Sequence, residues 1–135
     1  MKFMLDTNTV SYLFRNEDNV VSNLQNHSPH DIVISSITEA ELLYGIAKNP
    51  QAKLVNVVEY FLTTTHVLPW DRNAAECYGH MKASIMKKGR SISELDLLIV
   101  SHALALDLTL VTSDKGLLQL REFPEFSINL VNWRD

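Results

Sequence analysis

Short runs of apolar residues alternate along the chain with longer stretches in which apolar residues recur every three or four positions. The short runs are typical of buried strands, and the longer stretches are typical of amphipathic helices. The pattern predicts five strands, over residues 2–5, 31–34, 66–68, 108–111 and 128–131. Around them it predicts helices over residues 8–15, 18–26, 37–48, from Pro50 through Phe61, from the cap residue Asp71 to Lys87, 93–106 and 114–120.

Strands that alternate with helices form a parallel sheet with helices packed on its faces. The predicted fold class is therefore α/β, with a central parallel sheet of about five strands flanked by helices. Functional residues gather beyond the carboxyl ends of the strands in such sheets. Asp6 follows the first strand, and Thr112, Ser113 and Asp114 follow the fourth. We expect these residues to share one edge of the sheet.

Length and composition set outer limits on the class of protein. The 135 residues, 46% of them hydrophobic, predict a single domain over residues 1–135. Cys77 is the only cysteine, which excludes an internal disulfide and a thiolate metal site. No signal-peptide pattern is present, and no apolar run approaches the roughly 20 residues of a membrane span. We therefore expect a cytoplasmic protein.

The charge distribution is compatible with two kinds of surface. A net charge of −4 argues against a protein whose whole surface is basic for nucleic-acid binding. It does not exclude nucleic-acid binding, because bound cations would neutralise the acids of a metal site. Four of the twelve basic residues lie within nine positions, at Lys82, Lys87, Lys88 and Arg90. This basic cluster is a candidate RNA-binding surface. A solvated helix end, with cations near the negative pole of the helix dipole, explains it equally well.

The acids on the predicted helices fall into two groups. Residues two apart on a helix point about 200° apart, so the members of a pair such as Glu39 and Glu41 cannot face the same way. Two serine–glutamate pairs match the capping-box pattern, which predicts that they bond the free amides at the helix starts: Ser36 with Glu39, and Ser91 with Glu94. Glu41 and Asp96 instead lie in apolar stripes, where a carboxylate needs a partner. For either one alone, that partner could be an arginine.

A shared cation accounts best for Asp6, Glu41, Asp96 and Asp114 taken together. An unpaired buried carboxylate costs several kcal/mol, so acids directed toward a core usually gather around a cation. Oxygen-only ligands predict Mg²⁺, with Mn²⁺ as the alternative, and such a cation activates water and screens phosphate charge. We expect second-shell hydrogen bonds to these acids from residues that also cap helices and form turns: Thr7, Asn8, Thr112 and Ser113.

Five segments carry a further pattern, and they follow one another across nearly the whole chain: Met4–Asn8, Ile34–Gly45, Gly89–Ile99, Leu110–Asp114 and Asn132–Trp133. Together they resemble the PIN-domain ribonucleases and, within these, the VapC toxins of bacterial toxin–antitoxin pairs. The resemblance implies a PIN-like fold and a Mg²⁺-dependent endoribonuclease, commonly dimeric and held inactive by a VapB-type antitoxin. It implies structured RNA substrates such as initiator tRNA and ribosomal RNA, with operator DNA contacted only through the antitoxin.

The resemblance places Asp6, Glu41 and Asp96 on the acids of the family. Asp114 takes the fourth position. In many relatives, however, an Arg-Glu-Phe-like stretch follows this segment directly, and here it comes several residues later. Glu122, within that later stretch, is therefore an alternative fourth acid.

Two other classes of protein share part of the pattern. A haloacid-dehalogenase-type phosphatase also begins with an aspartate after its first strand, but it needs a second aspartate where this chain has Asn8. A catalytically silent PIN-fold binding module would keep the fold and lose the chemistry. The complete set of acids favours a nuclease over both.

Overall fold

Five short strands form one sheet in the computed structural model, which describes residues 1–135. The strands are β1 (Phe3–Leu5), β2 (Ile32–Ser35), β3 (His66–Leu68), β4 (Thr109–Val111) and β5 (Leu130–Val131). Their order is β3-β2-β1-β4-β5, and every neighbouring pair is parallel. Successive strands are added on one side of β1 up to β3 and on its other side from β4 onward, so the order switches between β1 and β4, where sheets of this kind form a crevice beyond their carboxyl ends.

Helices cover both faces of the sheet. They are α1 (Thr7–Phe14), α2 (Asp18–Gln25), α3 (Ser36–Lys48), α4 (Ala52–Thr64), α5 (Arg72–Lys87), α6 (Glu94–Ala105) and the single turn α7 (Lys115–Leu118). Three 3-10 turns complete the chain, at Pro29–Asp31, Gln119–Glu122 and Pro124–Phe126. No helix is both long enough and apolar enough to cross a membrane.

Side chains that alternate along the strands divide the core into two layers. Met4, Val33 and Leu110 are fully buried against the face covered by α5, α6 and the 3-10 turns. The next residues along β1 and β4, Leu5 and Val111, are buried against the face covered by α1–α4. The central strand β1, which carries Asp6 at its end, is therefore buried on both of its faces.

Every predicted strand and helix is present, and the differences lie at the ends. Strand β5 is shorter than predicted, Leu130–Val131 rather than 128–131. Pro50 precedes the first turn of α4 instead of lying in it, because that helix begins at Ala52 after Gln51. The predicted helix over 114–120 ends at Leu118 and continues as a 3-10 turn. Gly89, with a φ of 73°, ends α5 as expected.

The two predicted capping boxes are wrong. Ser35, not Ser36, caps α3, and its Oγ accepts a hydrogen bond from the Ile37 amide at 3.1 Å. Ser93, not Ser91, caps α6, and its partner at the third helical position is Asp96 rather than Glu94. Each segment contains two serines that could cap the helix, and the sequence alone does not decide which of them precedes the first helical residue.

Candidate active site

Asp6 lies at the carboxyl end of the central strand and begins α1. Its amide donates to the Val111 carbonyl of β4 at 3.1 Å, which joins the ends of β1 and β4. Its side chain is the N-cap of α1 and accepts from the Thr9 amide at 2.8 Å. The residue is only 2% exposed, so few directions remain from which a ligand could reach its second oxygen.

Asp114 lies at the same edge, three residues after the end of β4. Its Oδ2 caps α7 by accepting from the Leu117 amide at 2.9 Å, and its own amide donates to Thr112 Oγ1 at 3.1 Å. The buried Thr112 side chain also lowers the pKa of Asp6, as a hydrogen-bonding group beside that carboxyl. Thr112 therefore acts on both acids.

Asp96 enters the site from the first turn of α6. The Ser93 hydroxyl donates to Asp96 Oδ2 at 2.7 Å, while Ser93 Oγ receives the Asp96 amide at 3.4 Å. The pair differs from a capping box, because the Asp96 carboxylate accepts from the Ser93 hydroxyl rather than from the Ser93 backbone amide. The sequence assigns Asp96 no role at the start of the helix, and that prediction is wrong: its amide donates to the N-cap residue Ser93, and a second bond from the Ser93 hydroxyl holds its carboxylate.

Glu41 reaches the edge from the second turn of α3. Its Oε1 accepts a hydrogen bond of 2.5 Å from the hydroxyl of Thr7, the residue next to Asp6. Thr7 also lies 3.2 Å from the buried hydroxyl of Thr38, one turn before Glu41. Glu41 is thereby tied to the end of β1 from a different helix.

The acids act on one another as like charges. Burial raises the pKa of Asp6 above its ordinary value of 3.8, and the Asp96 carboxylate raises it further, against hydrogen bonds from Thr112 and Thr9. Burial also raises the pKa of Asp96, with Asp114 adding to the rise and Ser93 opposing it. A positive charge placed among Asp6, Asp96 and Asp114 would relieve both effects.

The donor set fits a hydrated divalent cation. All four predicted ligands offer carboxylate oxygens, which suit Mg²⁺ and Mn²⁺. No three Asp, Glu, His or Cys side chains in the chain lie close enough together to enclose one ion by themselves. Mg²⁺ keeps several of its waters and is usually bound through one or two carboxylates, so a looser arrangement of this kind can accommodate it.

The hydroxyl partners of the acids were only partly predicted. Thr7 and Thr112 bond to acids as described, whereas Asn8 is exposed and the side chains of Asn8 and Ser113 bond to none of them. Two partners of the acids lie outside the predicted set, the Thr9 amide and the Ser93 hydroxyl, while the Thr38 hydroxyl bonds only to Thr7. Of these, only Ser93 had a sequence signal, the Ser-x-x-Asp spacing that it forms with Asp96.

Comparison of the whole chain with known proteins identifies its family. The PIN domain family matches residues 3–122. The tRNA(fMet)-specific endonuclease VapC of Salmonella typhimurium is 35% identical over 136 residues, covering 98% of each chain. Ribonuclease VapC2 of Haemophilus influenzae is 34% identical, again over 98% of each chain. The chain belongs to the VapC ribonucleases of the PIN-domain family.

Solved VapC-containing structures share the whole fold. The VapBC2 structure of Rickettsia felis, bound to a DNA fragment from its promoter, has a TM-score of 0.83 at 32% identity and covers 98% of this chain and 99% of that one. The DNA-bound VapBC structure of Salmonella typhimurium has a TM-score of 0.83 at 33% identity, with 98% of both chains covered. The predicted PIN-like α/β fold and the predicted class, a ribonuclease toxin, are confirmed, which rules out the phosphatase alternative.

The basic cluster of this VapC ribonuclease is largely neutralised by acids. Lys82 pairs with Glu94 at 3.2 Å, Lys88 with Glu125 at 2.9 Å, and Arg90 with Glu122 at 3.0 Å, all on the surface. Lys87, at the end of α5, makes no ion pair. Glu122, the alternative fourth acid, is therefore engaged with Arg90, whereas Asp114 acts on the charge of Asp96.

Proposed function

We propose that this VapC ribonuclease is a Mg²⁺-dependent endoribonuclease toxin that cleaves structured RNA, with Mn²⁺ as a possible substitute. Four acids from four separate segments reach one edge of the sheet, and each is held there by its own hydrogen-bond donor; this observation carries the proposal. Salmonella typhimurium VapC is named for tRNA(fMet), so initiator tRNA is the first substrate to test, ahead of ribosomal RNA.

The residues of this edge would have two roles, binding the cation and positioning the acids that bind it. Asp6, Glu41, Asp96 and Asp114 would hold the cation, which when bound lowers the pKa of water and neutralises charge on phosphate oxygens. The Thr9 amide keeps Asp6 in place, and the Thr7 hydroxyl turns Glu41 toward the end of β1. Ser93 and the Leu117 amide do the same for Asp96 and Asp114. Such supporting bonds are typically worth 10–100-fold in metal affinity or activity.

The partners we propose are those of a toxin–antitoxin pair. The solved relatives from Rickettsia felis and Salmonella typhimurium are VapBC complexes bound to DNA, which supports a VapB-type antitoxin that holds this chain inactive. We propose that operator DNA is contacted through that antitoxin, since this chain has a net charge of −4 and a mostly neutralised basic cluster. We propose further that the chain forms a homodimer and acts in the cytoplasm, where its RNA substrates are.

Expression of the protein without an antitoxin should arrest growth, and Asp6→Asn should relieve the arrest. Asparagine keeps the oxygen that caps α1, so the fold should persist while the charge needed by the cation is lost. The measurement is growth after induction, combined with mapping of new RNA 5′ ends across the transcriptome. A single cleavage site in initiator tRNA would identify the substrate. Full toxicity of Asp6→Asn would remove Asp6 from the proposed ligands.

The end of α5 should contribute modestly to RNA binding. If Lys87 and Lys88 both contact phosphates, a Lys87→Ala, Lys88→Ala double variant should flatten the log–log salt dependence of single-strand binding by roughly 0.7 for each contact. Lys88 is held by Glu125 and lies 4.3 Å from the centre of the Phe123 ring, so Lys87 should account for most of the change. An unchanged affinity and salt slope would mark the cluster as a solvated helix end.

A further inference from the structure

A small pocket opens directly beside Glu41. It lies between α1, α3 and α4 and has a volume of about 180 Å³. Phe14, Leu42 and Val58 supply apolar walls, and Ser11 and Glu41 supply polar groups. Thr7 and Glu41, which are bonded to each other beside the cluster of acids, also line this pocket, and its other residues have no role described above.

The size of the pocket restricts what can occupy it. Sites for drug-sized ligands have volumes of roughly 300–1,000 Å³, so this one has room for about a single ring system. An α-helix, roughly 10–12 Å across, cannot enter it. Phe14 packs edge-on against Phe61 with ring centres 5.3 Å apart, which gives the pocket a firm aromatic wall.

The polar groups of the pocket are available to a ligand. The Ser11 hydroxyl bonds to no group of the protein, and because no buried polar side-chain atom lacks a partner, this hydroxyl is open to solvent. Only Oε1 of Glu41 is engaged, by Thr7. A flat ring with a polar edge would therefore find both apolar contact and hydrogen-bond partners here.

We infer that this pocket binds one base of the RNA, from a nucleotide next to the scissile phosphate. The inference rests on the proposed function and adds a determinant of sequence preference to it. Bases in RNA loops are unstacked and can be splayed out onto aromatic side chains, where their edges are read by hydrogen bonds. Since Glu41 belongs both to the acids and to the pocket, a phosphate at the acids brings a neighbouring base within reach of Phe14 and Ser11.

Gly45 provides a direct way to close the pocket. It lines the pocket one turn after Glu41, and no atom lies within 4 Å of the position that a Cβ would take. Gly79 is equally open, lies on the exposed side of α5 across the sheet from the pocket, and serves as a matched control. Leucine favours helix more than glycine does, so Gly45→Leu and Gly79→Leu should both fold, which melting curves will verify.

The test compares these variants on an RNA loop randomised on both sides of the cleavage site, in Mg²⁺. Wild-type protein and Gly79→Leu should favour one base beside the cut. Gly45→Leu should lose that preference and cleave at least tenfold more slowly at low substrate concentration, and Ser11→Ala should change the preferred base. In the cleavage-deficient Asp6→Asn background, adding Gly45→Leu should weaken binding of the preferred RNA about tenfold.

The remaining outcomes overturn the inference. If Gly45→Leu cleaves with the rate and base preference of wild type, the pocket does not bind RNA. If it loses only its neutralisation by a co-expressed antitoxin, the pocket receives a side chain of that partner instead. If wild-type protein fails to cleave any RNA in Mg²⁺, the proposed function fails first and the inference falls with it.

Discussion

Glu41→Gln and Asp96→Asn should each lower RNA cleavage by more than about 100-fold, whereas Glu39→Gln and Glu94→Gln should cleave at nearly the wild-type rate. The first two substitutions remove a charge from the edge where the acids meet, and loss of a mere supporting bond at a metal site already costs 10–100-fold. Initial rates on one RNA, at equal protein and Mg²⁺ concentrations, provide the measurement.

Glu39 and Glu94 are matched controls because each lies two positions from a proposed ligand on the same helix. Glu94 is exposed and pairs with Lys82 across the surface. Glu39 borders a shallow depression near His30 and His66, apart from Asp6. Neither residue has the capping role that the sequence predicted. We expect both variants to cleave RNA because the two side chains lie away from the cluster of acids. The opposite pattern, with Glu39 and Glu94 essential, would move the cation to the other face of both helices.

In the absence of divalent cations, Asp6→Asn should melt at a higher temperature than wild-type protein at neutral pH. The pKa of Asp6 is raised in the folded protein, chiefly by burial, so folding favours its protonated form. The contribution of this carboxyl is full below its ordinary pKa of 3.8 and is lost as pH rises through the raised value. Each 1 kcal/mol recovered by the neutral amide should raise the melting temperature by roughly 3–5 °C in a domain of this size.

Addition of Mg²⁺ should reverse the order of the two proteins. A ligand that binds only the folded state stabilises it in proportion to the logarithm of its concentration over its dissociation constant. The melting temperature of wild-type protein and of Glu94→Gln should therefore rise with Mg²⁺, and that of Asp6→Asn should rise much less. An equal rise in all three would show that the cation binds elsewhere.

The positions of Asp6 and Asp114 could be predicted because both acids follow buried strands, although helix capping would also place an acid there and each of them does cap a helix. Residues that end neighbouring parallel strands must meet at one edge, and the Asp6 amide does bond to the end of β4. Glu41 and Asp96 could be predicted from apolar neighbours one turn away. These patterns involve residues that are close in sequence, so they can be recognised without knowledge of the fold.

The supporting hydrogen bonds could not be predicted in the same way. Thr7 and Glu41 are 34 residues apart, and their contact depends on how α1 and α3 pack. The choice of Ser35 over Ser36 as a helix cap depends on the last residue of β2, which His102 holds through a bond of 2.8 Å to Ser35 Oγ. The ion pairs that neutralise the basic cluster likewise form between segments that are separate in sequence. The sequence therefore suggests more free positive charge for RNA binding than the folded protein has.

Cleavage of initiator tRNA by the purified protein, freed of any antitoxin, tests the central claim most directly. The reaction is followed in Mg²⁺, after addition of EDTA in excess, and after Mg²⁺ is restored above the EDTA concentration. We expect cleavage to proceed in Mg²⁺, to stop with the chelator and to resume when the cation returns, with Asp6→Asn inactive throughout. Undiminished cleavage in EDTA by wild-type protein, matched by Asp6→Asn, would contradict the assignment of these acids to a cation that the reaction requires.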